Sequence, residues 1–296
     1  MNNLTKYSII FVTVVLYYAI TPSVQYYTIV CLTLISLIGI PHGAADHKIS
    51  ASLNKKSNFF LFVTKYLLIS VGYIIWWMFM PGKSFVFFLI LSAFHFGQEF
   101  LEDMGINKYN LWEIMFWGAV ILFSPILISY TELKSTIELV TQSSLPEIPS
   151  WLVIVLISLS IILSTFRLYW LKTKNKISSR EFNKRFLNIA VLLILFAIVP
   201  FLIAFTLYFI LFHSANSFAH QYKWLKSNTK NYSIKSFIFD LIPFSLLSLF
   251  GIVLVVLTLN PETDQELVSY FIVLISIITL PHTILFNQFY SLKIKS

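Results

Sequence analysis

The chain is short of charge, of cysteine and of polar–apolar alternation, and each shortage excludes something. Only 11% of its 296 residues are charged and 57% are hydrophobic, too few polar side chains to clothe a soluble globule of this size. The single cysteine, Cys31, has no partner for an intrachain disulfide, and within an apolar run it reads as a small buried hydrophobe. Stretches such as 191–212 are almost continuously apolar, whereas a transmembrane β-barrel needs alternating segments. The expectation is an all-α, polytopic transmembrane helix bundle, a single integral membrane domain over residues 1–296. The net charge of +8 and pI near 9.4 do not point to nucleic acid, because the bases lie in short loops between apolar stretches, as topology determinants do.

What is present is a series of apolar windows, at about 7–22, 26–43, 59–80, 84–98, 111–130, 151–170, 187–199, 201–221, 237–259 and 268–289. The first follows one basic residue and lacks a convincing small-residue cleavage site, so it reads as a retained span. The seventh and eighth are parted only by Pro200, so one kinked helix there is an alternative, and the count is about ten spans with eight or nine as alternatives. Basic residues crowd the connection 167–186 and recur at Lys48, Lys55 and Lys56, at Lys223 to Lys235, and at Lys293 and Lys295, whereas connections with Glu132, Glu138 and Glu147 or with Glu262, Asp264 and Glu266 are acidic. Ten spans with both termini cytoplasmic satisfy the positive-inside bias, the acidic connection with Lys108 being the exception.

Five of the six histidines, His42, His95, His213, His220 and His282, lie within or at the ends of these windows, while His47 begins a polar loop. Ionisable side chains at bilayer depth are expensive and mark function by default. A single histidine there is more often an interhelical hydrogen-bond partner. Five from four helices running in the same direction, at similar depth, instead suggest a metal site built from facing helices. Asp46 follows His42 by four residues and Glu99 follows His95 by four, a spacing that stacks them on one helical face. Either carboxylate could accept the second ring N–H of a ligating imidazole; Asp46 could equally cap the next segment or pair with Lys48, and Glu99 could be solvated at the interface. Gly39 and Gly43 suit close helix approach. His213 and His220 are seven apart, about 10 Å along a regular helix, so either the helix unwinds around Ser214 to Ser217 or His220 serves another layer. His282, beside Pro281, competes as fourth ligand.

Taken together, the PHGAAD run at Pro41 to Asp46, HFG at His95 to Gly97, HS at His213 and Ser214, and the late LPH ending at His282 resemble the Brp/Blh family of bacterial membrane-bound β-carotene 15,15′-dioxygenases. The resemblance implies cleavage of β-carotene at its central double bond with O₂ to two molecules of all-trans-retinal, using ferrous iron held by four histidines. It implies a cell inner membrane location and a functional link to a microbial rhodopsin that uses retinal. On it His42, His95 and His213 map onto three ligands. The fourth usually follows in an HSxxH arrangement, but that position is Ser217, left as a candidate behind the ligands with Asp46 and Glu99. His220 is the first choice for the fourth ligand, with His282 or water otherwise.

An all-imidazole set without thiolate suits redox or Lewis-acid catalysis rather than structural zinc. Phe94, Phe96, Phe212 and Phe218 flank the ligands and could line a polyene channel, although with 29 phenylalanines in the chain they are equally packing residues. Rival readings are a histidine-lined transporter, against which no internal repeat is found, and a non-enzymatic factor assisting assembly of a retinal protein. A di-iron membrane desaturase ranks last, for want of histidine clusters.

Overall fold

The computed structural model describes residues 2–53, 58–106 and 109–293, all helix and connection with no strand among them. Lys55, Lys56, Lys108 and Lys295, used above to orient the chain, lie outside the described residues. In chain order the helices are α1 (Asn3–Ile20), α2 (Val24–Leu53), α3 (Phe59–Phe79), α4 (Pro81–Asp103), α5 (Leu111–Ile128), α6 (Tyr130–Thr141), α7 (Ser150–Thr173), α8 (Ser179–Ile198), α9 (Phe201–Asn228), α10 (Ile234–Leu259) and α11 (Asp264–Lys293). All but α6 and α8 are long and apolar enough to cross a membrane. Short polar side chains start many of them: Asn2, Ser23, Asn58, Asn110, Ser178 and Ser233 each accept a hydrogen bond from a first-turn N–H, satisfying donors that hydrocarbon would leave orphaned.

Several helices outrun their apolar windows. The basic connection expected over 167–186 is mostly helix, because α7 continues to Thr173 and Ser178 caps α8 by accepting from Glu181 N–H at 3.1 Å. His47, expected to open a polar loop, lies in the final helical segment of α2. The acidic connection after α5 contains the amphipathic α6. At Pro200 the chain breaks rather than kinks: Val199 (φ −130°, ψ 160°) and Pro200 (φ −51°, ψ 144°) are extended. Both carboxylate oxygens of Glu132 accept from Phe201 N–H, at 3.0 and 2.9 Å, closing the start of α9.

The bundle has an inside and an outside. In the most apolar stretch of α2 61% of residues are buried, and in that of α4 56%, against 6% in α3 and none in α10; the first pair form the core and the second lie at its periphery. The α4–α5 contact is backbone on backbone. A Cβ added at Gly97 would fall on the Ile114 carbonyl, and one at Gly118 on Ala93.

Candidate metal centre

Two helices lose regular geometry where the site forms. In α2 a π turn at Ile35–Gly39 runs into a 3₁₀ turn at Ile40–Gly43 that includes Pro41 and His42. In α9 a π turn at Phe209–Ser214 carries His213. Such irregular turns gather at functional sites because they re-aim a side chain without ending the helix. α4 brings His95 and α11 brings His282, one residue after its internal Pro281.

Four imidazoles meet there in a closed ring. Ring centroids are 4.8 Å apart for His42 and His213, 4.9 Å for His42 and His282, 5.1 Å for His95 and His213, and 5.0 Å for His95 and His282. All four side chains are buried. Ligand atoms of His42, His95 and His282 lie within 4.8 Å of one another, as do those of His95, Glu99 and His213. Of the expected ligands the structure brings together His42, His95 and His213, and it adds His282 rather than His220. His220 lies apart, its Nε2 3.0 Å from Asp103 Oδ1 and its Nδ1 3.4 Å from the Tyr290 hydroxyl. The π turn ends at Ser214, so α9 winds regularly beyond it and carries His220 into the next layer.

Three of the four rings are oriented from behind. His282 Nδ1 lies 3.0 and 2.9 Å from the two oxygens of buried Asp46. His213 Nδ1 is in close ion-pair contact with the Glu99 carboxylate without hydrogen-bond geometry, and His42 Nδ1 is hydrogen-bonded with the Gly39 carbonyl. Both carboxylates therefore serve a histidine on another helix, not the one four residues before them. Ser217 acts at one remove: it accepts from Gln221 Nε2 at 3.0 Å, and the same amide donates to the His42 carbonyl at 2.6 Å. Gln221 was not singled out by the sequence, although its i, i+4 spacing from Ser217 was a usable signal. Gly39 and Gly43 admit rings rather than helices: a Cβ at Gly39 would meet Phe209 at 2.5 Å, and one at Gly43 would lie 3.4 Å from His282 Nδ1.

The donors fit a soft-to-borderline transition metal. Neither ring nitrogen of His95 nor His282 Nε2 has a hydrogen-bond partner, a costly state for buried polar atoms unless something else engages them. Carboxylates and a carbonyl behind ligating imidazoles are the usual way such rings are held.

The tetrad lies at one end of a cavity of about 250 Å³, mostly apolar. Phe201, Phe205 and Phe209 line one wall, with Phe271 and Ile275 among the residues elsewhere on it. Of the four phenylalanines expected along a channel only Phe96 lines it; Phe94, Phe212 and Phe218 do not. At the far end Glu132, Asp264 and Gln265 form a polar rim. The apolar groups around Glu132 push its carboxyl pKa up, against the pull of Phe201 N–H. The cavity touches α2, α4, α9 and α11 first near their N-terminal ends and last at or beside their histidines, so all four run the same way. Behind His213 a second, polar compartment holds Glu99, Asp103, Arg185 and Asn216. Buried Lys6 of α1 joins it through Asn216 Oδ1 at 3.1 Å, and Arg185 lies 3.6 Å from Asp103.

Comparison with known proteins agrees with this picture. A beta-carotene 15,15'-dioxygenase of the uncultured marine bacterium 66A03 is 28% identical over 202 residues, 66% of this chain and 70% of that protein. No solved structure matches. The sequence model of the beta-carotene 15,15'-dioxygenase family matches residues 33–290. That stretch includes all four histidines of the tetrad and covers well over half of the chain, which therefore belongs to the beta-carotene 15,15'-dioxygenase family.

Proposed function

We propose that this multi-pass membrane protein binds ferrous iron through His42, His95, His213 and His282 and cleaves β-carotene at its 15,15′ double bond. One atom of O₂ goes to each half, giving two molecules of all-trans-retinal and no other product. The observation that carries this reading is a buried four-imidazole ring at one end of a mostly apolar cavity, inside a bundle whose substrate would already be dissolved in the surrounding lipid.

Ferrous iron would supply the one-electron and O₂ chemistry that side chains lack. The chain's own residues do the rest. Asp46, Glu99 and the Gly39 carbonyl fix the ring directions of His282, His213 and His42. His95, held edge-on by Phe286 with centroids 5.8 Å apart, offers a nitrogen to the centre. Phe96 and Phe209 pack against His213 at 4.5 and 5.0 Å, excluding water from the side where a polyene would lie. Within the cell inner membrane, the positive-inside bias puts both termini and the tetrad toward the cytoplasm.

Expression in cells that accumulate β-carotene tests this, with retinal and residual carotene measured by chromatography beside a His213→Ala control. Retinal from the parent and none from the control is the expected result. A parent that reaches the membrane and releases no retinal would overturn the proposal.

A further inference from the structure

Four aromatic rings stand in file down one face of α9. Phe201 stacks on Phe205 (5.7 Å, 12°), Phe205 on Phe209 (5.4 Å, 16°), and Phe209 on His213 (5.0 Å, 25°). A regular α-helix turns about 40° past a full revolution every four residues, so such a file should drift around the helix. The wider π turn at Phe209–Ser214 counters that drift, and the last rung is a tetrad histidine. All four line the cavity.

The file has two distinct ends. At one end are the imidazoles; at the other, the rim of Glu132, Asp264 and Gln265. From Phe201 to His213 is 12 residues, roughly 18 Å of helix axis. A hydrocarbon gains by lying against the aromatic faces and nothing by pressing its end group among the polar groups of the rim. The apolar stretch therefore admits one arm of an extended polyene to a set depth.

Resting on the function proposed above, we infer that the aromatic file of α9 and the acidic rim form a ruler: their separation, not recognition of the central bond itself, selects which double bond faces the tetrad. A symmetric carotenoid is cut into equal halves because one half-length fills the space between rim and tetrad. Shortening that space moves the bond presented toward the inserted end group, and lengthening it moves the bond away. Either change yields two unequal aldehydes, each still taking one oxygen atom from O₂.

Thr28 and Leu202 line the cavity near its rim, Thr28 buried and 14 residues before His42 on α2. Thr28→Phe and Leu202→Trp shorten the space, and Phe201→Leu lengthens it. Each variant is expressed in the carotene-accumulating cells, its aldehydes are resolved by chromatography and mass, and carotene carried through purification is read by absorbance. We expect unequal aldehydes to rise about tenfold or more against retinal, the scale on which pocket size discriminates apolar substrates, in at least one shortening variant. Retinal as sole product from all three, or no aldehyde of any length from all three, would overturn the ruler. A parent without retinal would instead sink the proposed function, so the two failures are distinguishable.

Discussion

At the scale of the residue, the tetrad is a set of imidazoles whose worth depends on what stands behind each. Removing a ligand should empty the site, while removing a histidine from the next layer should not. We expect His282→Ala to lose bound iron and His220→Ala to keep it, measured as metal per protein after purification. Equal loss from both would return His220 to the ligand set. Asp46→Asn keeps the size of the side chain but not its charge, and should weaken metal affinity about 10- to 100-fold, as removal of a carboxylate behind a ligating histidine does elsewhere; titration with competing chelators reads it. Much of this layer was legible. The histidine runs of α2, α4 and α9 announced themselves because polar groups in an apolar window need a reason. The fourth position was only half legible, because the sequence put His220 first and offered His282 as the alternative, and only the fold shows that a helix nearly 70 residues later brings His282 into the ring. The partners of Asp46 and Glu99 were likewise hidden, since each crosses to another helix.

At the scale of the element, the site depends on where helices tighten, widen or stop. Gly97 and Gly118 leave no room for a methyl group between α4 and α5, so Gly97→Ala or Gly118→Ala should cost about 3 kcal/mol or more of stability. Gly251, with nothing near it, should tolerate alanine within about 1 kcal/mol; thermal unfolding in detergent compares the three. Glu132 gives a pH dependence of defined sign. Its folded-state pKa is raised, so the folded state holds more protons than the unfolded one, and stability falls as pH rises through that range. Glu132→Gln should remove this slope, seen as a parent-minus-variant Tm difference that grows as pH drops into the carboxylate range. Windows of hydropathy gave nearly every helix, because burial in lipid needs only composition. They missed α6 and the early start of α8, where charged residues ride on helical turns, and they carry no trace of the π turns, which arise from packing between helices.

At the scale of the whole molecule, the contacts decide how many times the chain traverses the bundle. Lys6 meets Asn216, Asn216 meets Asp103, Asp103 meets His220 and His220 meets Tyr290, so the start of α1 and the end of α11 lie at one end. α8 begins there too, through Arg185 and Asp103, and leads to Phe201 at the opposite rim. It thus runs the length of the bundle despite its charged first turns, although only nine of the described helices are long and apolar enough to cross a membrane. Tags on the two termini should accordingly be accessible from the same side of the membrane, and protease protection of sealed vesicles checks this; tags on opposite sides would leave nine crossings. The even count of ten was the expectation from loop charge, and some of those bases lie outside the described residues. The π turn of α9 carries a last consequence. It is in effect one spare residue in the chain, and losing it would alter neither hydropathy nor any functional group. Deleting Ile210 alone should restore an ordinary helix, swing His213 away from its three companions and silence the centre, so that the chemistry of this membrane protein hangs on the length of its chain as much as on its letters.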